Sequence, residues 1–245
     1  SGSYNAKYFT DPSLPNHTIY APKTPVQNQK LPLIVWGNGA CGTDGAGFSN
    51  FLTEIASYGF MVIANGNPKK AWGSAGVIQL TQAINWAEKG AAAGKFGEVD
   101  ATKIGAAGQS CGGVEAYSAS INDPRVKVIG IYNTGVIDPG RRWMLKELKQ
   151  PVGYFYGGAA DFSQKYIEQD YKDILPGHPA MMSIAPTGGH FGTYFEAKGG
   201  KYGKISVAWW KWQLQGDESS KALFFNKSSE LYADGWKINT SHWKQ

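Results

Sequence analysis

The chain has 245 residues, of which 42% are hydrophobic, 18% charged and 13% aromatic, and its formal net charge is +5. This balance is typical of a folded soluble domain and excludes a disordered chain. The basic residues are spread out rather than gathered in a run, so nucleic-acid binding is not expected. No apolar stretch reaches the roughly 18 residues that a membrane span needs. A length near 250 residues suits one α/β domain, and we predict a single domain over residues 1–245.

Apolar strands alternate with amphipathic helices along the first part of the chain. An edge strand is predicted over 18–22, before a proline-punctuated loop. A nearly continuous apolar run over 31–37 is typical of a parallel strand that is buried on both faces. A helix over 48–58, a buried strand over 60–64 and a helix over 75–89 follow, because the helical segments keep a 3.6-residue apolar period.

The second half of the chain continues this alternation. Apolar strands are predicted over 126–132, 152–156 and 180–185. Helices are predicted over 143–149 and 163–173, and a short one over 219–225. The segment 202–215 is too apolar for a solvated helix, so we expect it to pack across the sheet. The pattern predicts an α/β protein with a doubly wound, mostly parallel sheet flanked by helices.

The stretch Gly108-Gln109-Ser110-Cys111-Gly112 has the G-x-S-x-G pattern of a nucleophile elbow. An apolar run ends here and residues suited to a helix follow, which is the context that such an elbow requires. The glycines on either side of Ser110 would let the strand and the helix cross closely. In a chain with 32 glycines the pattern is equally typical of a glycine-rich turn, so its interpretation depends on partners further along the chain.

Two later strands end in loops that carry those partners. The strand over 152–156 leads to Asp161, and the strand over 180–185 leads to His190 between glycines. Ligands of α/β sheets bind at the carboxyl ends of the strands, where these loops would meet. The order Ser110, Asp161, His190 is that of α/β-hydrolase triads, in which the imidazole removes the serine proton and the carboxylate orients the imidazole.

Other roles are open for these residues. Asp161 could cap the helix over 163–173, because capping is a common role of aspartate in loops. Asp138, in the loop after the preceding strand, is the alternative acid. The other histidines do not follow a core strand into glycines: His17, His178 and His242.

The oxyanion hole is expected to combine two backbone N–H groups. One is that of Cys111, directly after the nucleophile, and the other belongs to the loop after the first apolar strand. Trp36-Gly37-Asn38-Gly39 occupies the place of an H-G-x-G motif, so Asn38 is the predicted second donor and Ala40 the alternative. Trp36 stands where such a motif has histidine.

The two cysteines of the chain, Cys41 and Cys111, lie on these same two loops. We predict that they form a disulfide that joins the oxyanion loop to the elbow, which requires an oxidising compartment. The alternative is a pair of buried thiols in a cytosolic enzyme. Neither cysteine has a zinc-like spacing, and we expect neither a metal nor another cofactor. Three N-x-[ST] sequons are candidate glycosylation sites of a secreted protein: Asn16, Asn226 and Asn239.

These motifs, with the runs Tyr156–Asp161 and Thr187–Tyr194, resemble those of secreted α/β-hydrolases. Over about residues 18–215 the chain looks most similar to the branch that holds dienelactone hydrolases, chlorophyllases, platelet-activating-factor acetylhydrolases and polyester hydrolases. The resemblance implies a cofactor-free serine carboxylic ester hydrolase that acts through an acyl-enzyme. Dienelactone hydrolases carry cysteine where this chain has Ser110, so their substrate is a poor guide.

Aromatic residues on the predicted strand-end loops are candidates for binding the substrate: Trp72, Tyr132, Trp143, Phe162 and Phe191. Each is equally suited to the core. Together they would suit a small or polymeric ester with aromatic groups, and no long insertion suggests a helical lid. We expect a secreted monomer. Hydrolysis of a lactone, thioester or amide, and an aromatic-rich binding module without catalysis, are the alternatives.

Overall fold

Nine strands form one mixed, mostly parallel sheet in the computed structural model, which describes residues 1–68 and 73–243. The strands are β1 (Ala6–Phe9), β2 (His17–Pro22), β3 (Leu31–Gly37), β4 (Met61–Asn65), β5 (Val99–Gln109), β6 (Val126–Tyr132), β7 (Val152–Tyr156), β8 (Ala180–Ile184) and β9 (Lys237–Asn239). Their order across the sheet is β1-β2-β4-β3-β5-β6-β7-β8-β9. The strands from β4 to β8 in this order run parallel, whereas β1, β2 and β9 pair antiparallel at the two sides.

Helices connect the parallel strands and cover both faces of the sheet. They are α1 (Ser49–Ala56), α2 (Val77–Glu88), α3 (Cys111–Asn122), α4 (Met144–Glu147), α5 (Gln164–Asp173), α6 (Gly200–Trp210), α7 (Glu218–Phe225) and α8 (Glu230–Ala233). Helix α6 continues into a π-helical turn over Lys211–Gln215. The α/β class and the mostly parallel sheet predicted from the alternating pattern are confirmed.

The sheet separates two apolar cores, because successive side chains of a strand point to opposite faces. On β3, Leu33 and Val35 join the core beneath α2 and α3. Ile34 and Trp36 join the other core, beneath α1 and α6. Both faces of β3 are therefore buried, which explains its unbroken apolar sequence.

Helix α6 packs across the middle of the sheet, as its apolar sequence predicts. The ring of Trp210 lies so close to β5 and β6 that a Cβ on Gly105 would come within 2.6 Å of it and one on Gly130 within 2.8 Å. Trp209 approaches Gly153 of β7 in the same way, with a corresponding distance of 2.9 Å. Glycines in strand interiors often mark such a close approach, and here they admit two indoles against the strand backbones.

The parallel strands β3, β5, β6, β7 and β8 end at the same edge of the sheet, which we call the carboxyl edge. The loops after these strands carry the oxyanion segment, the serine, Asn133, Asp161 and His190. The opposite edge, called the amino edge, holds the turn from α2 to β5. This arrangement brings together residues far apart in sequence, such as Ser110 and His190, which are separated by 80 positions.

Candidate active site

Ser110 lies at a sharp turn between β5 and α3. Its backbone angles, φ 54° and ψ −121°, are in a region that residues other than glycine rarely adopt. Helix α3 crosses β3 and β5 closely. A Cβ on Gly112 would lie 2.0 Å from the carbonyl oxygen of Gly37, and a Cβ on Gly108 would lie 2.2 Å from the carbonyl oxygen of Gly112. The Ser110 N–H donates to the Tyr132 carbonyl oxygen (2.9 Å), so the apex is anchored to the sheet.

The structure brings Ser110, His190 and Asp161 together. The His190 Nε2 lies 3.1 Å from the Ser110 Oγ, and the His190 Nδ1 lies 3.0 Å from the Asp161 Oδ1. The loops after β7 and β8 meet where Gly157 contacts Gly189, since a Cβ on Gly157 would lie 2.1 Å from the Gly189 carbonyl oxygen. These distances are within hydrogen-bond range, and the order is hydroxyl, imidazole, carboxylate.

Asp161 is buried and is held by several donors. Its Oδ1 accepts hydrogen bonds from the backbone N–H (3.0 Å) and the hydroxyl (2.7 Å) of Ser163, in addition to the contact with His190. Its Oδ2 accepts from the amide of Asn133 (2.7 Å) and from the N–H of Gly157 (3.2 Å). Burial opposes ionisation, but the hydrogen bonds from Ser163, Asn133 and His190 outweigh it and lower the pKa of Asp161. The carboxylate therefore stays charged beside the imidazole at neutral pH.

Asn133 is a site residue that sequence reasoning missed. It follows β6 with φ 50° and is fully buried. Besides Asp161, its amide nitrogen reaches the Gly189 carbonyl oxygen (3.0 Å) and the Tyr202 hydroxyl (3.1 Å), and its Oδ1 accepts from the Tyr194 hydroxyl. One side chain thus joins the acid loop to the loop that carries His190. An asparagine at the end of a core strand, a residue type that tolerates positive φ, is the one local signal of it.

Gln109 holds the backbone of His190 from the other side. It is buried, directly precedes the serine, and its amide donates to the His190 carbonyl oxygen (2.9 Å). The base loop is therefore tied to the elbow strand as well as to β6.

The loop after β3, the predicted oxyanion loop, is attached to the start of α3 by a Cys41–Cys111 disulfide, whose Cα atoms lie 5.2 Å apart. The predicted pairing of the two cysteines is confirmed. Asn38 adjoins the start of α3, since a Cβ on Gly112 would lie 2.8 Å from its backbone nitrogen. The alternative donor, Ala40, lies in a short 3-10 turn with φ 55°.

Trp36, which stands in the place of the motif histidine, is a core residue. Its buried ring packs against Phe48, Phe51 and Tyr132 at centroid distances of 5.2–5.4 Å. It therefore belongs to the apolar core beneath α1 and α6 and not to the polar set around Ser110.

The two candidate acids, Asp138 and Asp161, lie in different places. Asp138 is exposed, accepts from the Gly140 N–H (2.9 Å) and forms an ion pair with Arg141 (3.6 Å). The contact with His190 is made by Asp161. The three other histidines have different partners. The Nε2 of His17 contacts the Gln79 carbonyl oxygen, the Nε2 of His178 contacts the Gln150 carbonyl oxygen, and the ring of His242 packs against Tyr171 at a centroid distance of 4.5 Å.

The predicted substrate-binding aromatics occupy different environments. The Phe162 ring stacks on His190 with a centroid distance of 4.0 Å, and Phe191 lies 5.6 Å from it; their exposed fractions are 62% and 70%. Trp143 is exposed at the start of α4. Tyr132 is instead in the core, where its hydroxyl donates to Ser206 (2.9 Å). Trp72 lies outside the described residues.

Asn16, Asn226 and Asn239, the sequon asparagines, have exposed side chains. Among the described residues, no cluster of histidine, cysteine, aspartate or glutamate side chains is suited to a metal ion. Within the same part of the chain, no helix combines the length and apolarity that crossing a bilayer requires.

No protein-family model matches this chain, and a search of curated proteins finds no significant match. The site must therefore be interpreted from its own chemistry. A hydroxyl, an imidazole and a charged carboxylate stand in hydrogen-bonding sequence at a helix N-terminus, and this set can activate an oxygen nucleophile.

Proposed function

We propose that this protein is a secreted serine carboxylic ester hydrolase of the α/β-hydrolase fold. The observation that carries the proposal is the pair of hydrogen bonds that joins Ser110 to His190 and His190 to Asp161, at a strand-to-helix turn with strained backbone. A capping role for Asp161 alone would not require the contact with His190.

The proposed reaction proceeds in two steps through an acyl-enzyme. The His190 Nε2 takes the Ser110 proton as the Oγ attacks the ester carbonyl carbon, and Asp161 stabilises the imidazolium that forms. The backbone N–H groups of Cys111 and Asn38 would stabilise the oxyanion. His190 then gives its proton to the departing alcohol, and a water molecule attacks the acyl-enzyme by the same route.

An apolar or aromatic ester is the proposed substrate class. Phe162 and Phe191 flank His190 with most of their surface exposed, which is unusual for large apolar side chains unless they serve a contact. Secretion is supported by the disulfide, since such bonds persist in oxidising compartments.

Labelling with a fluorophosphonate probe tests the proposal. We expect stoichiometric modification of Ser110, loss of labelling in Ser110→Ala, and strong slowing in His190→Ala. A panel of chromogenic esters graded by acyl length and aromaticity should show loss of turnover by about 10⁴-fold or more in both variants. The matched control is His178→Ala, which should label like the wild type because His178 precedes β8 and so lies at the amino edge of the sheet. Absence of labelling combined with affinity for an aromatic polymer would support a binding module instead.

A further inference from the structure

Three buried polar residues lie next to the predicted oxyanion loop, and their side chains have no role in the reaction proposed above. They are Asn38 after β3, Asn65 at the end of β4 and Glu115 on α3, with exposed fractions of 3%, 0% and 7%. The three come from separate elements that converge at the start of α3.

Two hydrogen bonds link the three residues through Asn65. The Asn65 Nδ2 donates to the Glu115 Oε2 (2.9 Å), and the backbone carbonyl oxygen of Asn65 accepts from the Asn38 Nδ2 (2.6 Å). The Asn38 Nδ2 also reaches the carbonyl oxygens of Gly42 (3.1 Å) and Asp44 (3.3 Å). The side chain of Asn38 therefore ties the loop that follows it to the end of β4.

Glu115 also lies directly below the backbone that leads into this loop. A Cβ on Gly37 would come within 2.7 Å of the Glu115 Oε2 and within 2.6 Å of the Gly112 carbonyl oxygen. The carboxyl group is thus packed between the last residue of β3 and the first turn of α3, the two segments that carry the proposed oxyanion donors.

A carboxyl group in such a place is unfavourable for folding by itself. Burial raises the pKa of Glu115 to about 7, against the smaller opposing effect of the hydrogen bond from Asn65. Among the described residues, no basic side chain forms an ion pair with Glu115. A buried carboxyl group without a charge partner stabilises the fold less than an apolar group of the same shape would, while its contacts fix the backbone around it.

We propose that Glu115 and Asn65 are positioning residues of the oxyanion hole, which hold the Asn38 backbone N–H in line with that of Cys111. The inference rests on the proposed ester hydrolysis, in which these donors act. Displacing a catalytic donor by about 1 Å can cost on the order of 10²-fold in rate, so the support of the loop matters for turnover.

The test compares Glu115→Gln, Glu115→Ala and Asn65→Ala with the wild type. The amide oxygen of Glu115→Gln can accept from Asn65, so kcat should stay within about threefold, whereas both alanine variants should lose about 10- to 100-fold in kcat with KM within about twofold. Ser120→Ala is the control, because Ser120 is a buried polar residue of the same helix whose hydroxyl donates to the Ala116 carbonyl oxygen (2.7 Å) within that helix. Its kcat should not change.

Amide hydrogen exchange over residues 38–45 supplies a readout that does not need activity. We expect faster exchange in both alanine variants than in Glu115→Gln and Ser120→Ala. A lower melting temperature with unchanged kcat and unchanged exchange in the alanine variants would overturn the inference, and so would an equal loss of kcat in Glu115→Gln and Glu115→Ala. If the wild type hydrolyses no ester, the proposed function fails, while the exchange measurement still tests the positioning.

Discussion

Strained backbone occurs at both edges of the sheet, but it is supported very differently. At the carboxyl edge, Cys41, Ser110 and Asn133 have φ values of 49°, 54° and 50°. At the amino edge, the turn from Gly90 to Gly94 contains three successive alanines with φ values of 44°, 55° and 56°. For a residue such as alanine, the left-handed conformation costs about 1–2 kcal/mol relative to the right-handed one.

The strained residues of the carboxyl edge are fixed by contacts distant in sequence. Cys41 is bonded to Cys111, Ser110 is bonded to the Tyr132 carbonyl oxygen, and the Asn133 side chain joins two loops. The alanine turn is closed by local backbone bonds, such as that from the Gly94 N–H to the Gly90 carbonyl oxygen (3.1 Å). Strain that coincides with reactive groups and is fixed from several sides is typical of a functional site. Relieving strain should thus impair turnover at one edge and only stabilise the fold at the other.

The largest effect is expected from Asp161→Asn at the carboxyl edge. The amide keeps the shape of the side chain but removes the charge that orients and stabilises the His190 imidazolium, so kcat should fall by about 10³–10⁴-fold. Steady-state hydrolysis of an aromatic ester measures it. The matched control is Asp138→Asn, which removes an exposed carboxylate and should leave kcat within twofold. If Asp138→Asn lost more kcat than Asp161→Asn, the acid would be Asp138, on the loop after β6.

The second-largest effect is expected from removal of the Cys41–Cys111 disulfide. It closes a loop with a sequence separation of 70 residues, and its loss in Cys41→Ser/Cys111→Ser should lower the free energy of unfolding by up to about 4 kcal/mol in the chain-entropy model. Because the bond also joins the two oxyanion segments, kcat should fall by about tenfold. Thermal unfolding and ester hydrolysis with and without a reductant check both effects. Unchanged kcat in the folded double variant would show that the disulfide stabilises the chain without positioning the donors.

The strands of the sheet could be predicted because parallel strands are buried on both faces and read as apolar runs. The runs over 31–37 and 152–156 coincide with β3 and β7. The side strands β1 and β9 were not predicted, since four-residue and three-residue segments with exposed side chains carry no such signal. Their pairing depends on neighbours far along the chain.

The residues of the candidate site were predictable where a local pattern marks them. Ser110 lies in a motif, and Asp161 and His190 each follow a core strand into glycines. Asn133 was missed because its role exists only when three loops meet. Tyr132 also ends a core strand, yet its side chain packs in the apolar core beneath α1 and α6. The pattern of a single strand does not reveal whether its last side chain packs against the sheet or joins the loops at the carboxyl edge.

The protonation of Glu115 should make the free energy of unfolding depend on pH, an effect smaller than that of removing the disulfide. Its pKa is raised from the ordinary value of 4.5 to about 7 by burial, so the folded state binds the proton more tightly than the unfolded state. The associated stability is complete below about pH 4.5 and is lost as the pH rises through 7. Relative to the wild type, Glu115→Gln should therefore gain about 2–3 kcal/mol between pH 5 and pH 8. Denaturant unfolding of both proteins at the two pH values measures this, and parallel stability curves would exclude the raised pKa.

The smallest effect is expected at the amino edge, from Ala93→Gly. Ala93 is exposed in the left-handed turn, and glycine adopts positive φ without the steric cost of a Cβ. After the larger backbone entropy of glycine in the unfolded chain is subtracted, the free energy of unfolding should rise by about 0.5–1 kcal/mol, with kcat unchanged. The same substitution at Ala222, exposed in the right-handed helix α7, should lower it by about 0.5–1 kcal/mol. A rise in the free energy of unfolding for Ala93→Gly and a fall for Ala222→Gly would show that the turn stores backbone strain. An unchanged kcat in Ala93→Gly would show that this strain has no part in turnover, in contrast to the strain at the carboxyl edge.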